Sequence, residues 1–439
     1  MKPRPLTRHD RENLQLLGDK KLDIIAAWAN KQLQCSHCGK CTRRCEVLAT
    51  PGLDIGRVQA AYERIMALPF DEQPAAVIET VQQDYALYNA LRQCCFCGFC
   101  TAACAHHVLA AEAMREWREL FMRADLMPPN DSKLVMVDDQ WHIFSAYRAI
   151  YGIAYPEFLS LDGAVEAAEA GKPSGADTLF FPGCSLVSYA PELMRTVGNW
   201  LTETGVRWAF SDACCGSPLM SAGLFERAQE LRAGVFEKMR RAGITRMVTV
   251  CPGCGEEFAE DMPDGIEIVP LPEVLLEGAR ERVAAGGSSG FTPLARKSVT
   301  FFDSCHDRFD NRHGNAIRAL VGEFAPDAKR CEMDHEKHGT LCCGAGGAVA
   351  SYDPAITDRR VWRVIEEGRA TGAETMLTMC PTCTYTIAQA NLADAARGMD
   401  SCNYLEMLFG QTIDWGQVFA QLGAMWTGEY AEWLNATFF

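Results

Sequence analysis

Residues 246–254 read RMVTVCPGC and residues 375–383 read TMLTMCPTC, so a short apolar run ends on a Cys-x-x-Cys pair in both. Two further runs, TLFFPGC at 178–184 and VTFFDSC at 299–305, also lead into a cysteine. Short apolar runs that end at Gly, Pro or Cys are typical of buried strands. Segments with helical spacing, such as 222–242, separate these runs. The alternation predicts an α/β fold, and parallel pairing of the strands follows from it.

The cysteines of this region form a pattern that occurs twice. Each copy has one cysteine, then Cys-Cys-Gly, then Cys-Pro-x-Cys, and equivalent cysteines lie 121 to 129 positions apart. A nearly constant offset indicates that a whole domain is duplicated, and the turn-prone stretch AAGGSSGFTP at 284–293 marks the boundary between the copies. The first copy contains Cys184, Cys214, Cys215, Cys251 and Cys254, and the second contains Cys305, Cys342, Cys343, Cys380 and Cys383.

Two motifs with the spacing C-x2-C-x2-C-x3-C precede the repeat. Three cysteines at this spacing wrap one face of a [4Fe-4S] cubane, and in two-cluster ferredoxins the fourth cysteine binds the other cluster. Zinc sites usually use two separated Cys-x2-Cys pairs, so the pattern favours iron–sulfur over zinc. We therefore assign one cubane to Cys35, Cys38, Cys41 and Cys104, and the other to Cys94, Cys97, Cys100 and Cys45. Cys95 is out of register and is expected to be a passive neighbour.

The composition limits the class of protein and its location. The chain has 439 residues and a formal net charge of −15, which indicates several globular domains and no nucleic-acid partner. No stretch approaches the roughly 20 apolar residues that a membrane helix needs, and the opening residues lack the apolar core of a signal peptide. The 21 cysteines are odd in number and grouped at ligand spacings. They indicate metal clusters in a reducing cytoplasm rather than disulfides.

The motifs together resemble a known family. The duplicated C-xn-CCG-xn-C-x2-C pattern resembles the CCG domain of the heterodisulfide reductase B subunit, and the double ferredoxin motif resembles its C subunit. Their order in one chain resembles the fused D subunit. The resemblance implies that each complete five-cysteine set binds a noncubane [4Fe-4S] cluster, giving one or two such clusters, and that the two sets face one another around a disulfide. All ten cysteines of the repeat are expected to be cluster ligands on this ground.

The expected function follows from that resemblance. Electrons pass through the two cubanes to the noncubane clusters, which reduce or form a disulfide or a related thiol or persulfide. The alternative is a wiring subunit that relays electrons between a flavoprotein, of the glycolate, lactate or glycerol-3-phosphate oxidoreductase type, and quinone. A zinc-stabilised scaffold without redox activity is a third and least favoured interpretation.

The chain is expected to depend on a partner for its electrons. No Gly-x-Gly-x-x-Gly motif follows a strand, so no flavin or NAD site is expected here. A flavoprotein or a membrane cytochrome b-type, quinone-reactive subunit fits as the partner. The expected location is therefore the cytoplasm, including the inner face of the membrane through that subunit.

A few residues beside the motifs receive roles of their own. His306 follows Cys305 directly, so it is a candidate proton donor to a leaving thiolate or, as the favoured interpretation, a hydrogen-bond donor to cluster sulfur. Cys331 and Cys402 are expected to be small buried side chains rather than ligands. Gly216, Gly344, Gly346 and Gly347 are expected to allow close backbone approach to a cluster.

These features divide the chain into five parts. They are a mostly α-helical, ferredoxin-like domain at 1–130, a linker at 131–174, CCG domains at 175–290 and 297–402, and an aromatic amphipathic tail at 403–439. The tail is expected to pack back onto the chain's own core, or else to dock onto a partner subunit.

Overall fold

The computed structural model describes residues 35–49, 53–106, 108–126 and 133–439. The start of the chain, which is expected to lack a signal peptide, lies outside these residues. The described residues form a helical module followed by two α/β units, each of which contains a parallel four-stranded sheet. None of the helices in the described ranges is both long enough and apolar enough to cross a membrane.

The N-terminal module is built from short helices, as the sequence predicts. Its helices are α1 Lys40–Arg44, α2 Ile55–Met66, α3 Gln73–Gln83, α4 Tyr85–Gln93, α5 Phe99–Ala102 and α6 Ala110–Arg123. Asp54 and Asp84 accept backbone hydrogen bonds at the starts of α2 and α4, which satisfies amides that the helix itself leaves unpaired. The fully buried Trp117 of α6 packs against these helices and donates its indole N–H to the carbonyl oxygen of Val58.

The predicted linker contains two helices that pack against the rest of the protein. They are α7 Ile143–Ile150 and α8 Leu161–Glu169. Leu161, Ala164 and Val165 are buried along one face of α8, which packs on a helix of the first α/β unit. The spacing of these three residues is helical, so the segment is part of the folded body and not a connector.

The first α/β unit has the strand order β2-β1-β3-β4, with all neighbours parallel. Its strands are β1 Thr178–Phe181, β2 Trp208–Phe210, β3 Arg246–Thr249 and β4 Glu267–Pro270. Its helices are α9 Cys184–Tyr189, α10 Pro191–Glu203, α11 Ser217–Ala222, α12 Phe225–Ala242, α13 Pro252–Glu260 and α14 Leu271–Ala284. The apolar runs at 178 and 246 form the two central strands, which confirms the predicted parallel α/β arrangement.

The second unit repeats this order as β6-β5-β7-β8. Its strands are β5 Ser298–Phe302, β6 Lys329–Glu332, β7 Thr375–Thr378 and β8 Asp400–Asn403. Its helices are α15 Arg312–Phe324, α16 Val349–Tyr352, α17 Pro354–Ala370, α18 Pro381–Ala393 and α19 Tyr404–Phe409. Strand β8 and the wholly buried helix α19 carry this unit past residue 402, where the tail was expected to begin.

The two units pack face to face through equivalent elements. Helix α14, which follows the last strand of the first unit, packs on α15 of the second unit, and the equivalent pair α19 and α10 also pack together. Such reciprocal contacts relate the two copies by an approximate two-fold axis. Phe180 and Val248 of the first sheet share one core with Phe301 and Leu377 of the second.

The C-terminal tail packs back onto the protein. It forms α20 Trp415–Met425 and α21 Ala431–Phe438. The hydroxyl groups of Tyr147 on α7 and of Tyr151 just after it donate hydrogen bonds to the side chain and the backbone of Gln421, at 2.6 and 2.7 Å. Trp433 makes an edge-to-face contact with Trp141, with the ring centres 5.0 Å apart. The tail therefore packs directly against the segment that precedes β1.

Candidate functional site

The carboxyl ends of the parallel strands place the ten cysteines of the repeat. Cys184 begins α9 just after β1, and Cys251 caps α13 just after β3. The second unit places Cys305 and Cys380 in the same way after β5 and β7. Each Cys-Cys-Gly lies in the loop that follows an edge strand. Because parallel strands end at one edge of a sheet, the five cysteines of each set converge there.

Both sets open into a single cavity between the two units. The cavity has a volume of about 660 Å³. Its lining includes all ten cysteines of the repeat: Cys184, Cys214, Cys215, Cys251, Cys254, Cys305, Cys342, Cys343, Cys380 and Cys383. The sulfur atoms of Cys251 and Cys380 are 3.7 Å apart, and those of Cys343 and Cys383 are 3.3 Å apart. The fold thus joins the two sets into one site.

His306 lines the same cavity and is held by the opposite unit. Its Nδ1 lies 2.5 Å from Oε2 of Glu256, which belongs to α13 of the first unit. Burial disfavours the charged ring, but the hydrogen bond to Glu256 outweighs it and raises the pKa of His306 to about 9. Gly253 leaves room for the ring, since a Cβ there would lie 3.3 Å from Cδ2 of His306. This hydrogen bond links the loop that carries Cys305 in the second unit to the helix that carries Cys254 in the first.

The cysteines of the two ferredoxin motifs gather in two groups. Cys35, Cys38, Cys41 and Cys104 line one small cavity at the start of α2. The fourth cysteine of the first motif lies with the second motif instead: burial and the nearby Cys45 raise the pKa of Cys94 to about 11. Burial and Cys45 likewise raise the pKa of Cys100. This grouping places together the same cysteines that the sequence assigns to each cubane.

These thiols suit iron–sulfur clusters as a donor set. All 21 cysteines are free, although many pack against one another. Burial raises the pKa of Cys41 to about 11, so the metal-free thiol is neutral at pH 7 and binding of a cation would ionise it. Gly39 and Gly98 have φ angles of 66° and 70° and form the turns within the two motifs. Convergent thiols at this spacing fit cubanes, and five thiols per set exceed what one zinc ion takes.

The second ferredoxin motif lies directly against the second α/β unit. Nε of the buried Arg308 donates to the carbonyl oxygen of Cys97 at 3.0 Å, and Nη2 donates to that of Thr340 at 2.7 Å. The close approach also explains Gly347, because a Cβ there would lie 2.2 Å from the carbonyl oxygen of Cys94. This glycine makes room for the backbone of the ferredoxin motif, not for a cluster as the sequence suggested.

Cys95 is more than a passive neighbour. It is buried, its sulfur lies 2.5 Å from Nη1 of Arg360, and its thiol donates to the carbonyl oxygen of Gly344 at 3.5 Å. The same guanidinium pairs through Nε with Glu46 at 2.6 Å. Cys331 lies on strand β6 and Cys402 lies buried on β8, and neither lines the cavity.

Buried arginines are the part of the site that the sequence reasoning missed. Arg118 donates to the carbonyl oxygen of Cys94 at 3.2 Å, and Arg232 donates to that of Cys215 at 3.3 Å. A signal for two of them is present in the repeat, because Arg232 and Arg360 each lie 17 positions after the second cysteine of a Cys-Cys-Gly. The two equivalents differ in target, since Arg232 binds its own set and Arg360 reaches the N-terminal helical module.

Comparison with known proteins defines the class. The family model described as "Cysteine-rich domain" (CCG) matches residues 178–259 and 299–388, one range within each of the two α/β units. The chain therefore contains two CCG domains and is an iron–sulfur oxidoreductase.

Three proteins from methanogens are similar to the chain over most of its length. The chain is 26% identical over 384 residues to the B subunit of the fumarate reductase (CoM/CoB) of Methanothermobacter marburgensis, which covers 85% of this chain and 71% of that protein. It is 23% identical over 379 residues to the D subunit of the dihydromethanophenazine:CoB–CoM heterodisulfide reductase of Methanosarcina mazei, which covers 80% of this chain and 86% of that one. An iron–sulfur protein of Methanocaldococcus jannaschii is 25% identical over 389 residues, which is 86% of this chain and 71% of that one. Over most of its length the chain is therefore similar to the D subunit of heterodisulfide reductase.

Proposed function

We propose that this protein reduces a disulfide in the cavity between its two CCG domains. The observation that carries the proposal is that ten cysteines of two complete sets line one cavity, with Cys251 and Cys380 3.7 Å apart. A disulfide has two sulfur atoms that must be held and released separately. Two equivalent cysteine sets on opposite sides of one cavity provide two equivalent places for them.

The reaction takes up two electrons and two protons: the S–S bond of RS–SR′ breaks, and one RSH and one R′SH form. When bound by the cysteine sets, noncubane [4Fe-4S] clusters would supply the redox chemistry and a place for each sulfur. The protein closes the site, since most of the cysteines in the lining are buried. His306 is oriented by Glu256 and would supply a hydrogen bond to sulfur bound in the cavity.

The ferredoxin-like module is proposed as the entry for electrons. Cys97 and Cys342 lie against each other, and each affects the pKa of the other. The group of Cys94, Cys97, Cys100 and Cys45 therefore borders the second cysteine set, and the group containing Cys35 lies beyond it. Electrons are expected to enter at the Cys35 group from a partner, either a flavoprotein or a cytochrome b-type subunit, and to leave beside Cys342.

Disulfide reductase activity of anaerobically reconstituted protein tests this function. With reduced methyl viologen as the electron donor, we expect two thiols to appear for each disulfide consumed. Cys380→Ala removes a ligand at the contact between the two sets and is expected to abolish turnover. Cys331→Ala changes a cysteine outside the cavity and is expected to keep it.

Two results would count against the proposal. Full disulfide turnover by Cys380→Ala would show that the paired cysteine sets are not needed. Reduction of a quinone without reduction of any disulfide would identify the chain as a wiring subunit.

A further inference from the structure

Apart from its cysteines and His306, the cavity between the CCG domains is lined by uncharged residues. Within the described parts of the chain, the lining contains no Lys, Arg, Asp or Glu, and His306 is the only basic residue. That imidazole is already engaged through Nδ1 by the carboxylate of Glu256. The arginine on the neighbouring helix α7, Arg148, pairs with Asp212 at 2.9 Å and does not line the cavity. A negatively charged substrate would find no free guanidinium or ammonium group here.

Apolar side chains from two separate segments form one part of the lining, and we call them the apolar rim. One group precedes the first sheet and the other comes from the C-terminal tail: Leu134, Val135, Ile143 and Phe144, and Leu422, Trp426 and Phe439. Tyr189 and Tyr385 stack on each other between these groups, with ring centres 5.8 Å apart.

The rim is fixed in place by the packing of the tail. Gln421 precedes Leu422, and its side-chain oxygen accepts a hydrogen bond from the hydroxyl of Tyr147 at 2.6 Å. Tyr385 packs on Phe419 with ring centres 4.9 Å apart. Both contacts hold the rim residues at the cavity. Burial of apolar ligand surface against such a wall contributes about 25 cal/mol of binding free energy per Å². An unpaired charge placed there would lose its hydration without compensation, which weakens binding.

We propose that the substrate of this site is a disulfide whose substituents are uncharged and apolar, at least in the part that enters the cavity. The inference rests on the proposed disulfide reduction and adds the class of substrate. The cavity of about 660 Å³ would hold the clusters at its cysteines and the substituents of the substrate against the apolar rim. The S–S bond lies at the cysteine sets, and the substituents contact the apolar rim. Uptake of two electrons and two protons converts the disulfide into two neutral thiols.

A matched pair of disulfides tests the substrate class on the unmodified, reconstituted protein. Diphenyl disulfide and 4,4′-dithiodibenzoate share the same aromatic rings and differ by one carboxylate on each ring. With reduced methyl viologen as the donor and equal cosolvent, we expect kcat/KM to be at least about tenfold higher for the neutral compound. Equal or faster reduction of the dianion would overturn the substrate class and leave the proposed function standing. Reduction of neither compound would overturn both.

Variants of the apolar rim test whether it causes the preference for the neutral disulfide. Leu422→Lys places a cation at the cavity and is expected to raise kcat/KM for the dianion while lowering it for diphenyl disulfide. Ala420→Lys places the same charge on an exposed position of the same helix, outside the lining, and is expected to leave the ratio unchanged. Trp426→Ala is expected to raise KM for the neutral compound only. A ratio that shifts equally in Leu422→Lys and Ala420→Lys would show that the rim does not select the substrate.

Discussion

The sulfur atoms of Cys251 and Cys380 lie 3.7 Å apart, and these two residues are equivalent positions of the internal repeat. A residue can contact its own equivalent only near the axis that relates the two copies. The approximate two-fold axis of the protein therefore passes through the cysteine site. Duplication of the domain is thus what creates the cavity, because one copy alone supplies only half of its thiols.

The neighbouring thiols of Cys94 and Cys95 are expected to have different roles. Cys94 lies with Cys45 and Cys100, whereas Cys95 turns toward Arg360 and the carbonyl oxygen of Gly344. Cys94→Ser is expected to lose the iron of one cubane, about four atoms per chain. Cys95→Ser is the matched control and is expected to retain full iron content. Iron analysis together with EPR of the reduced protein measures both, and equal loss in the two variants would contradict the assignment.

Arg360 is expected to raise the reduction potential of the cluster held by the second ferredoxin motif. Its buried guanidinium lies 2.5 Å from the sulfur of Cys95 and favours the more negative, reduced state of a nearby cluster. Arg360→Gln is expected to lower that potential by roughly 60 mV, which is a tenfold change for a one-electron couple. Arg359→Gln removes an exposed charge one position away and serves as the control. An EPR-monitored redox titration gives both values, and an unchanged potential in Arg360→Gln would refute this role.

Gly347 is expected to be essential for docking of the N-terminal helical module. Its φ is 66°, and an added Cβ would lie 2.2 Å from the carbonyl oxygen of Cys94. Gly372 has a similar φ of 72° but open space around it. Alanine at Gly372 carries only the backbone strain, about 1 kcal/mol, whereas alanine at Gly347 adds overpacking of about 1–3 kcal/mol. Thermal unfolding is expected to show a larger fall in Tm for Gly347→Ala, and equal falls would argue against the close contact.

Leu434 tests whether the tail belongs to the folded body. Its side chain is fully buried on α21, whereas Leu392 on α18 is 56% exposed. Leu434→Ala is expected to cost about 2–5 kcal/mol of stability, and Leu392→Ala should cost less than about 0.5 kcal/mol. Chemical denaturation measures the difference. Near-identical stability of the two variants would favour a tail whose role is docking to a partner.

The sequence predicts the centre of each sheet well and its edges poorly. The four runs that lead into cysteines became β1, β3, β5 and β7, because central strands of a parallel sheet are buried on both faces and so read as continuous apolar runs. The edge strand Lys329–Glu332 is largely exposed and the edge strand Asp400–Asn403 begins with polar residues, so neither carries that signal. The helices α7 and α8 are short and follow no motif, which left their segment looking like a linker.

The site was predictable wherever it depends on spacing within one chain segment. Motif spacing identifies the eight cysteines, and the exchange of the fourth cysteine in two-cluster ferredoxins predicts that Cys45 joins the second motif and Cys104 the first. The hydrogen bond of His306 to Glu256 depends on how the two units face each other, and no local pattern encodes that placement. The same applies to the contact of Arg360 with Cys95, which joins residues 265 positions apart. Contacts between residues of different domains, such as these two, therefore could not be predicted from the sequence.

The central claim is that both five-cysteine sets hold clusters and together form one site. Iron analysis of the anaerobically reconstituted chain, made alongside Cys251→Ala and Cys380→Ala, tests it most directly. Two cubanes and two noncubane clusters predict about 16 iron atoms per chain, with about four lost in each variant. A content of about 12 or fewer in the unmodified chain, or no loss in either variant, would contradict the paired site.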